Sequence, residues 1–143
     1  LDAFTAVHLD RLRALAGADV LIEALAEEDY YLAVVSNKTG RLLRREAEHL
    51  GWSRHFRAMV GAGDAKADKP DPAVVHAALL GSGLDPALAW LVGDTALDLE
   101  CAAAAGCVPI LLSAADSAEE PLKILPALRF FDCSSLLQGL RGL

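Results

Sequence analysis

Two aspartates stand four residues apart where an apolar run gives way to a helix-like segment, WLVGDTALD at residues 90–98. A strand that ends in one carboxylate, with a second carboxylate one helical turn later, directs two hard oxygen ligands at one point. An α/β fold holds Mg²⁺ beside a phosphate with ligands of this kind. We therefore predict that Asp94 and Asp98 form a metal site, although helix capping alone also explains the Gly-Asp-x-x-x-Asp spacing.

Two further polar clusters lie near the ends of apolar runs. Ser36 and Asn37 follow the run YLAVV, and Lys66 and Lys69 lie in a loop that leads into the sequence KPDP. Taken singly, a turn explains the first cluster and a helix start explains the second. Taken with the two aspartates, they offer a hydroxyl, an amide, a cation and two carboxylates. This set suits phosphoryl transfer, in which positioning and charge neutralisation provide most of the catalysis.

The elements that must position these groups follow an alternating pattern. Short apolar runs, each consistent with a strand buried on both faces, alternate with helical patterns of about ten residues, and this alternation predicts a parallel α/β sheet. The carboxyl ends of its strands would form the binding crevice. Strands are predicted at residues 31–35, 58–60, 89–92 and 108–112, and helices at residues 4–15, 20–28, 41–50, from 71 to about 81, and from 94 or 95 to 106. The helices at 4–15 and 20–28 stand outside the alternation.

Composition and charge limit the possible partners. The 143 residues are 54% hydrophobic, which predicts a single ordered domain with a sizeable core. The 13 basic and 20 acidic residues give a net charge of −7, which argues against non-specific nucleic-acid binding. A phosphorylated substrate stays possible because a bound cation reverses the local charge. No oligomeric state is indicated.

The cysteines and the hydropathy pattern indicate where in the cell the protein is expected. Cys101, Cys107 and Cys133 lie in apolar surroundings, which favours buried, reduced thiols in a cytoplasmic protein. The apolar runs are short and interrupted, so the sequence predicts neither a signal peptide nor a membrane span.

The three polar motifs in this order resemble a known set. Val-Val-Ser-Asn-Lys, Lys-Pro-Asp-Pro and Val-Gly-Asp-Thr-Ala-Leu-Asp resemble motifs II, III and IV of the haloacid dehalogenase-like superfamily, and within it the phosphoglycolate phosphatase-like hydrolases. The resemblance extends over residues 18–113, roughly. It implies a three-layer, Rossmann-like parallel sheet and a Mg²⁺-dependent phosphomonoester hydrolase that acts on a small phosphorylated metabolite through an aspartyl-phosphate.

The resemblance also implies roles for individual residues. Ser36 would donate its hydroxyl to a phosphoryl oxygen, and Asn37 would follow it in the substrate-facing turn. Lys69, with Lys66 as the less favoured claimant, would bind the phosphoryl oxygens and orient the nucleophile. Asp94 would hold Mg²⁺ and Asp98 would assist it. Gly93 would permit the close backbone approach at the strand end.

One motif of the superfamily is missing. Its first motif, Asp-x-Asp-Gly-Thr, supplies the nucleophile from the central strand, and no Asp-x-Asp occurs in this sequence. We expect the nucleophile upstream of Leu1, and we expect the central strand and most of a helical cap not to be in this sequence. Residues 1–17 are then the end of the cap or a cap-to-core helix, and residues 18–143 are the α/β core. This segment alone is expected to be inactive.

Other functions remain open on the sequence alone. The chain could be a natural fragment that another chain completes, or a non-catalytic module that binds phosphate and Mg²⁺. A 2-haloacid dehalogenase, which uses no metal, is a further alternative within the superfamily, as is a phosphoglucomutase-like transferase. The presence of both Asp94 and Asp98 favours the metal-dependent phosphatase over the dehalogenase.

Overall fold

Six parallel strands form one sheet in the computed structural model, which describes residues 3–6, 16–113 and 122–142. They are β1 (Ala3–Ala6), β2 (Tyr31–Thr39), β3 (Ala58–Ala62), β4 (Ala89–Gly93), β5 (Val108–Leu112) and β6 (Leu128–Phe130). Their order across the sheet is β3-β2-β1-β4-β5-β6, and every neighbouring pair is parallel.

Helices cover both faces of the sheet, so the predicted three-layer α/β fold is confirmed. The helices are α1 (Ala18–Glu27), α2 (Gly40–His49), α3 (Ala73–Leu79), α4 (Ala96–Ala105) and α5 (Cys133–Arg141). α1, α2 and α5 share one hydrophobic cluster with the sheet, and α3 and α4 share the other. Within the described ranges, no helix is long and apolar enough to cross a membrane.

The alternation of side chains along each strand explains the continuous apolar runs. In β4, Trp90 faces the layer of α1, α2 and α5, and it stacks on Phe130 with ring centroids 6.1 Å apart. Its neighbour Leu91 faces the layer of α3 and α4. Because both faces of the sheet are covered, every position of such a strand is apolar. The prediction of strands from these runs is confirmed for β2, β3, β4 and β5.

The three cysteines agree with the sequence-based expectation. Cys101, Cys107 and Cys133 are buried free thiols that belong to the two hydrophobic clusters. Burial raises the pKa of Cys101 and that of Cys107 to about 11, so both are neutral thiols near pH 7.

The helix predicted over residues 4–15 is wrong at its beginning. Ala3–Ala6 is strand β1, which pairs with β2 on one side and β4 on the other. It takes the central position, although we expected the central strand not to be in this sequence. The physical reason is that β2 and β4 would otherwise leave two facing rows of backbone donors and acceptors unpaired. The four residues of β1 can pair with these rows as a strand, although the same four residues could equally begin a helix.

The assignment of residues 1–17 to the end of a cap is therefore incorrect for Ala3–Ala6. Residues 7–15, where the rest of the predicted helix falls, lie outside the described residues. β1 reads Ala-Phe-Thr-Ala, so the central strand carries no carboxylate and does not restore the missing motif. The boundary at residue 18 otherwise stays a prediction.

A close backbone approach fixes the loop that follows β3. A Cβ on Gly61 would overlap the backbone of Gly40 at the start of α2. Asp64 spans this junction, because it accepts a hydrogen bond from the Gly61 N–H at 2.9 Å and pairs with Arg44 at 2.7 Å. These contacts anchor the beginning of the loop that carries Lys69.

Candidate active site

The sequence-predicted residues gather at the carboxyl edge of the sheet. Ser36 lies in the last part of β2, Asp94 directly follows β4, and Lys69 lies in the loop after β3. Since the strands are parallel, these three points lie at the same edge, where ligands bind in open α/β sheets. The three polar residues therefore lie at the edge where the sequence predicts the binding crevice.

A buried ion pair forms the centre of this cluster. The Lys69 Nζ donates to Asp98 Oδ1 at 2.9 Å, and each side chain is only 1% exposed. An ammonium has three N–H donors. The other two donors of Lys69 have no acceptor among the residues that the structure describes. A buried cation with unused donors is suited to receive an anion such as a phosphoryl group.

Asp98 is held from a second side by the start of α4. Its Oδ2 accepts hydrogen bonds from the Asp94 N–H at 3.1 Å, the Thr95 N–H at 3.2 Å and the Thr95 hydroxyl at 2.9 Å. Thr95 in turn caps the helix by accepting from the Asp98 N–H. The carboxylate therefore joins the end of β4, the first turn of α4 and Lys69.

Gly93 makes room for this carboxylate. A Cβ at position 93 would overlap the Cβ and the carboxyl group of Asp98. The family resemblance implied that a glycine here allows a close backbone approach. In the structure, the group that approaches is the side chain of Asp98.

Asn37 contacts the main chain of Lys69. Its Oδ1 accepts from the Lys69 N–H at 3.1 Å, and its Nδ2 donates to the Lys69 carbonyl at 3.4 Å. The peptide bond between Lys69 and Pro70 is cis. The residue predicted to face the substrate thus makes its described contacts with the lysine.

Ser36 is buried, with 1% of its surface exposed. Its Oγ accepts from the Lys38 N–H at 3.1 Å, and within the described ranges no acceptor faces its hydroxyl hydrogen. That hydrogen is available for an incoming oxygen.

Lys66, the alternative to Lys69, is exposed and makes no described contact with this cluster.

The carboxylates near the edge form a sparse donor set for a cation. Asp94 is half-buried at the end of β4, and both oxygens of Asp98 already accept hydrogen bonds. No group of three potential ligands among His, Cys, Asp and Glu occurs in the part of the chain that is described. Mg²⁺ commonly uses one or two carboxylates and completes its octahedron with water and substrate phosphate. The residues present fit such a site with Asp94 as its carboxylate.

Sequence reasoning missed a contact that Cys101 makes with the loop of Lys69. The Cys101 thiol donates to the carbonyl of Asp71 at 3.6 Å, and Asp71 lies two residues after Lys69. The available signal was the spacing, because Asp98 and Cys101 stand three apart and share one face of α4.

The chain belongs to the haloacid dehalogenase-like hydrolase family, whose model matches residues 1–111. The family membership agrees with the motif resemblance and with the fold.

Similar proteins include phosphoglycolate phosphatases. One from Rhodospirillum rubrum is 36% identical over 116 residues, which are 81% of this chain and 48% of that protein. Another from Aquifex aeolicus is 38% identical over 85 residues, 59% of this chain and 40% of that protein. The chain thus spans about half the length of the curated relatives it matches.

Solved structures show the same fold. A hydrolase of the superfamily from Ehrlichia chaffeensis is 31% identical with a TM-score of 0.78, over 90% of this chain and 58% of that one. A structure described as a predicted phosphoglycolate phosphatase from Haemophilus somnus is 26% identical with a TM-score of 0.80, over 92% of this chain and 60% of that one.

Proposed function

We propose that the protein containing this chain is a Mg²⁺-dependent phosphomonoester hydrolase that acts through an aspartyl-phosphate. The observation that carries the proposal is the buried pair of Lys69 and Asp98 at the carboxyl edge of the sheet, the edge at which Ser36 and Asp94 also lie. A hydrolase of phosphate esters must neutralise the charge of the phosphoryl group and hold its oxygens in place. The Lys69 ammonium and the Ser36 hydroxyl are groups that can neutralise this charge and hold these oxygens.

Lys69 and Ser36 supply the donors. The two N–H groups of the Lys69 ammonium that have no acceptor among the described residues would bind phosphoryl oxygens, and the Ser36 hydroxyl would donate to another. Asp98 fixes the ammonium so that no side-chain ordering is needed when substrate arrives, and preorganisation of this kind is a large part of electrostatic catalysis. Lys69 rather than Lys66 is proposed for this role because Lys66 is exposed.

Asp94 would hold the metal. When bound, Mg²⁺ would offset the negative charge of the phosphoryl group. Asp98 would assist mainly by holding the backbone of Asp94 and by fixing Lys69, because direct ligation would compete with its bond to the ammonium. Its predicted place among the ligands stays a prediction.

The covalent step needs a nucleophilic carboxylate that none of these residues supplies. In the reaction that the family resemblance implies, a carboxylate oxygen attacks phosphorus and the bond from phosphorus to the ester oxygen breaks. The alcohol leaves with a proton from a general acid. Water then hydrolyses the acyl phosphate, which releases inorganic phosphate and restores the carboxylate. Lys69 and Ser36 would contact the phosphoryl oxygens in both steps.

We propose a small phosphorylated metabolite as the substrate. The relatives from Rhodospirillum rubrum and Aquifex aeolicus are named phosphoglycolate phosphatases, so phosphoglycolate is the first compound to assay. Sugar phosphates, nucleotides and pyrophosphate belong in the same panel. A non-catalytic phosphate-binding module and a 2-haloacid dehalogenase are the competing functions.

The test measures two products from the full-length natural protein. Phosphate release from the panel and halide release from a 2-haloacid are followed with Mg²⁺, with chelator, and with Mg²⁺ restored. The proposal expects phosphate release that chelator abolishes and Mg²⁺ restores. Halide release that is indifferent to chelator would identify a dehalogenase. Phosphate binding without turnover of any compound would favour the non-catalytic module.

A further inference from the structure

The side chain of Asn37 makes an unusual pair of contacts. Both of its polar atoms bond to the main chain of one residue, 32 positions away, with Oδ1 on the Lys69 N–H and Nδ2 on the Lys69 carbonyl. The amide thereby imitates a neighbouring strand and extends the edge of β2 onto the loop. No other described hydrogen bond reaches the N–H or the carbonyl of Lys69.

These bonds complete a clamp on the lysine. Asp98 holds the ammonium, and Asn37 holds the main chain at the other end of the side chain. The first bond comes from the start of α4 and the second from the end of β2. The ammonium and the main chain of Lys69 are therefore each held by an element that packs in the hydrophobic core.

We propose that Asn37 is a positioning residue, which fixes the main chain of Lys69 and acts on the reaction through that lysine. This differs from the substrate contact that the family resemblance implied for Asn37, and it rests on the proposed function of Lys69. The amide is partly exposed, so each bond competes with water and the combined effect is moderate.

The first experiment is independent of activity. Hydrogen exchange of the Lys69 amide is measured by NMR in the full-length natural protein and in three variants. Asn37→Ala removes the acceptor and should speed exchange of this amide about tenfold. Asn37→Asp keeps the acceptor oxygen but replaces the Nδ2 donor with an oxygen that faces the Lys69 carbonyl, so its exchange rate should lie between those of the native protein and Asn37→Ala. Thr39→Ala is the matched control, because Thr39 is exposed on the same strand and makes no capping bond.

The second experiment is a double-mutant cycle on phosphate release. Asn37→Ala should lower kcat about tenfold with KM nearly unchanged, and it should have no further effect in a Lys69→Met background. An increase in KM that persists in that background would mean that Asn37 binds substrate directly, and would overturn the proposal. Thermal melting of each variant separates these effects from unfolding.

The two experiments separate the two proposals. If no phosphatase activity is found, the proposed function fails while the exchange rates still decide whether Asn37 holds Lys69. Exchange of the Lys69 amide that is equally fast in the native protein and in Asn37→Ala would overturn the positioning role, whatever the activity.

Discussion

At the scale of single residues, the pair of Lys69 and Asp98 links stability to the site. Each side chain is 1% exposed, so the pair is shielded from water. Removing one member of a buried ion pair leaves the other charge without compensation, and this typically costs about 3–5 kcal/mol. The free energy of unfolding should thus respond to a substitution in the site as it would to one in the core.

Asp98→Ala tests this point. We expect the free energy of unfolding, measured with urea, to fall by about 3–5 kcal/mol. Glu28→Ala is the control, since it breaks the exposed pair with Arg141 and should change stability by less than about 1 kcal/mol. Equal losses in the two variants would show that Lys69 is not buried against Asp98.

The residues that meet at the carboxyl edge could be singled out from the sequence, but the contacts between them could not. Lys69 and Asp98 were singled out by their motifs, but their contact depends on the loop after β3 folding back over α4. The sequence alone left Lys66 as a claimant, because both lysines lie in one loop and only the folded path of that loop buries one of them. The bonds between Asn37 and Lys69 join residues 32 positions apart, and no local pattern encodes such a pairing.

At the scale of elements, strand ends and helix starts position the site. The strands β2, β4 and β5 could be predicted from their continuous apolar runs. Such runs are expected where both faces of a sheet are covered. β1 was not predicted because its four residues fit a helix equally well. Their strand conformation is determined by backbone pairing with β2 and β4, which no local pattern shows.

Gly93→Ala tests how closely β4 and α4 fit. The added methyl group would overlap Asp98, so the carboxylate must shift. We expect a loss of stability of about 1–3 kcal/mol, as in other overpacked sites, and a fall in phosphate release. Gly142→Ala is the matched control, because a Cβ there has ordinary contacts and φ is −82°. A Gly93→Ala protein as stable and active as the control would contradict this close packing of Gly93 against Asp98.

The junction between β3 and α2 should make stability depend on pH. The hydrogen bonds from Arg44 and from the Gly61 N–H lower the pKa of Asp64 below its ordinary value of 3.8. A carboxyl whose pKa is lowered by folding contributes stability above its unfolded pKa and loses that contribution as the pH falls through its folded pKa. The contribution is modest because the pair is partly exposed to solvent.

Asp64→Asn isolates this contribution. We expect the difference in unfolding free energy between the native protein and the variant to be constant near neutral pH and to shrink below about pH 4. Urea unfolding at a series of pH values measures it. A difference that stays the same down to about pH 2.5 would mean that Asp64 is not held as the charged form.

At the scale of the whole molecule, the parallel sheet brings residues from distant parts of the chain to one edge. Ser36 lies in β2, Lys69 follows β3 and Asp94 follows β4, and the shared direction of the strands places all three at the same edge. The chain's membership in the haloacid dehalogenase-like hydrolase family agrees with this arrangement. We propose that this edge, with Asp94 at the end of β4, is a metal-assisted phosphatase site.

The most direct measurement is phosphate release as a function of Mg²⁺ concentration in the full-length natural protein and in Asp94→Asn. Asp85→Asn is the control, because Asp85 precedes β4 at the opposite edge of the sheet and an asparagine can keep its capping bond. We predict that Asp94→Asn lowers activity at least about a hundredfold and weakens the response to Mg²⁺, while Asp85→Asn behaves as the native protein. An Asp94→Asn protein with native activity and native Mg²⁺ dependence would contradict the account.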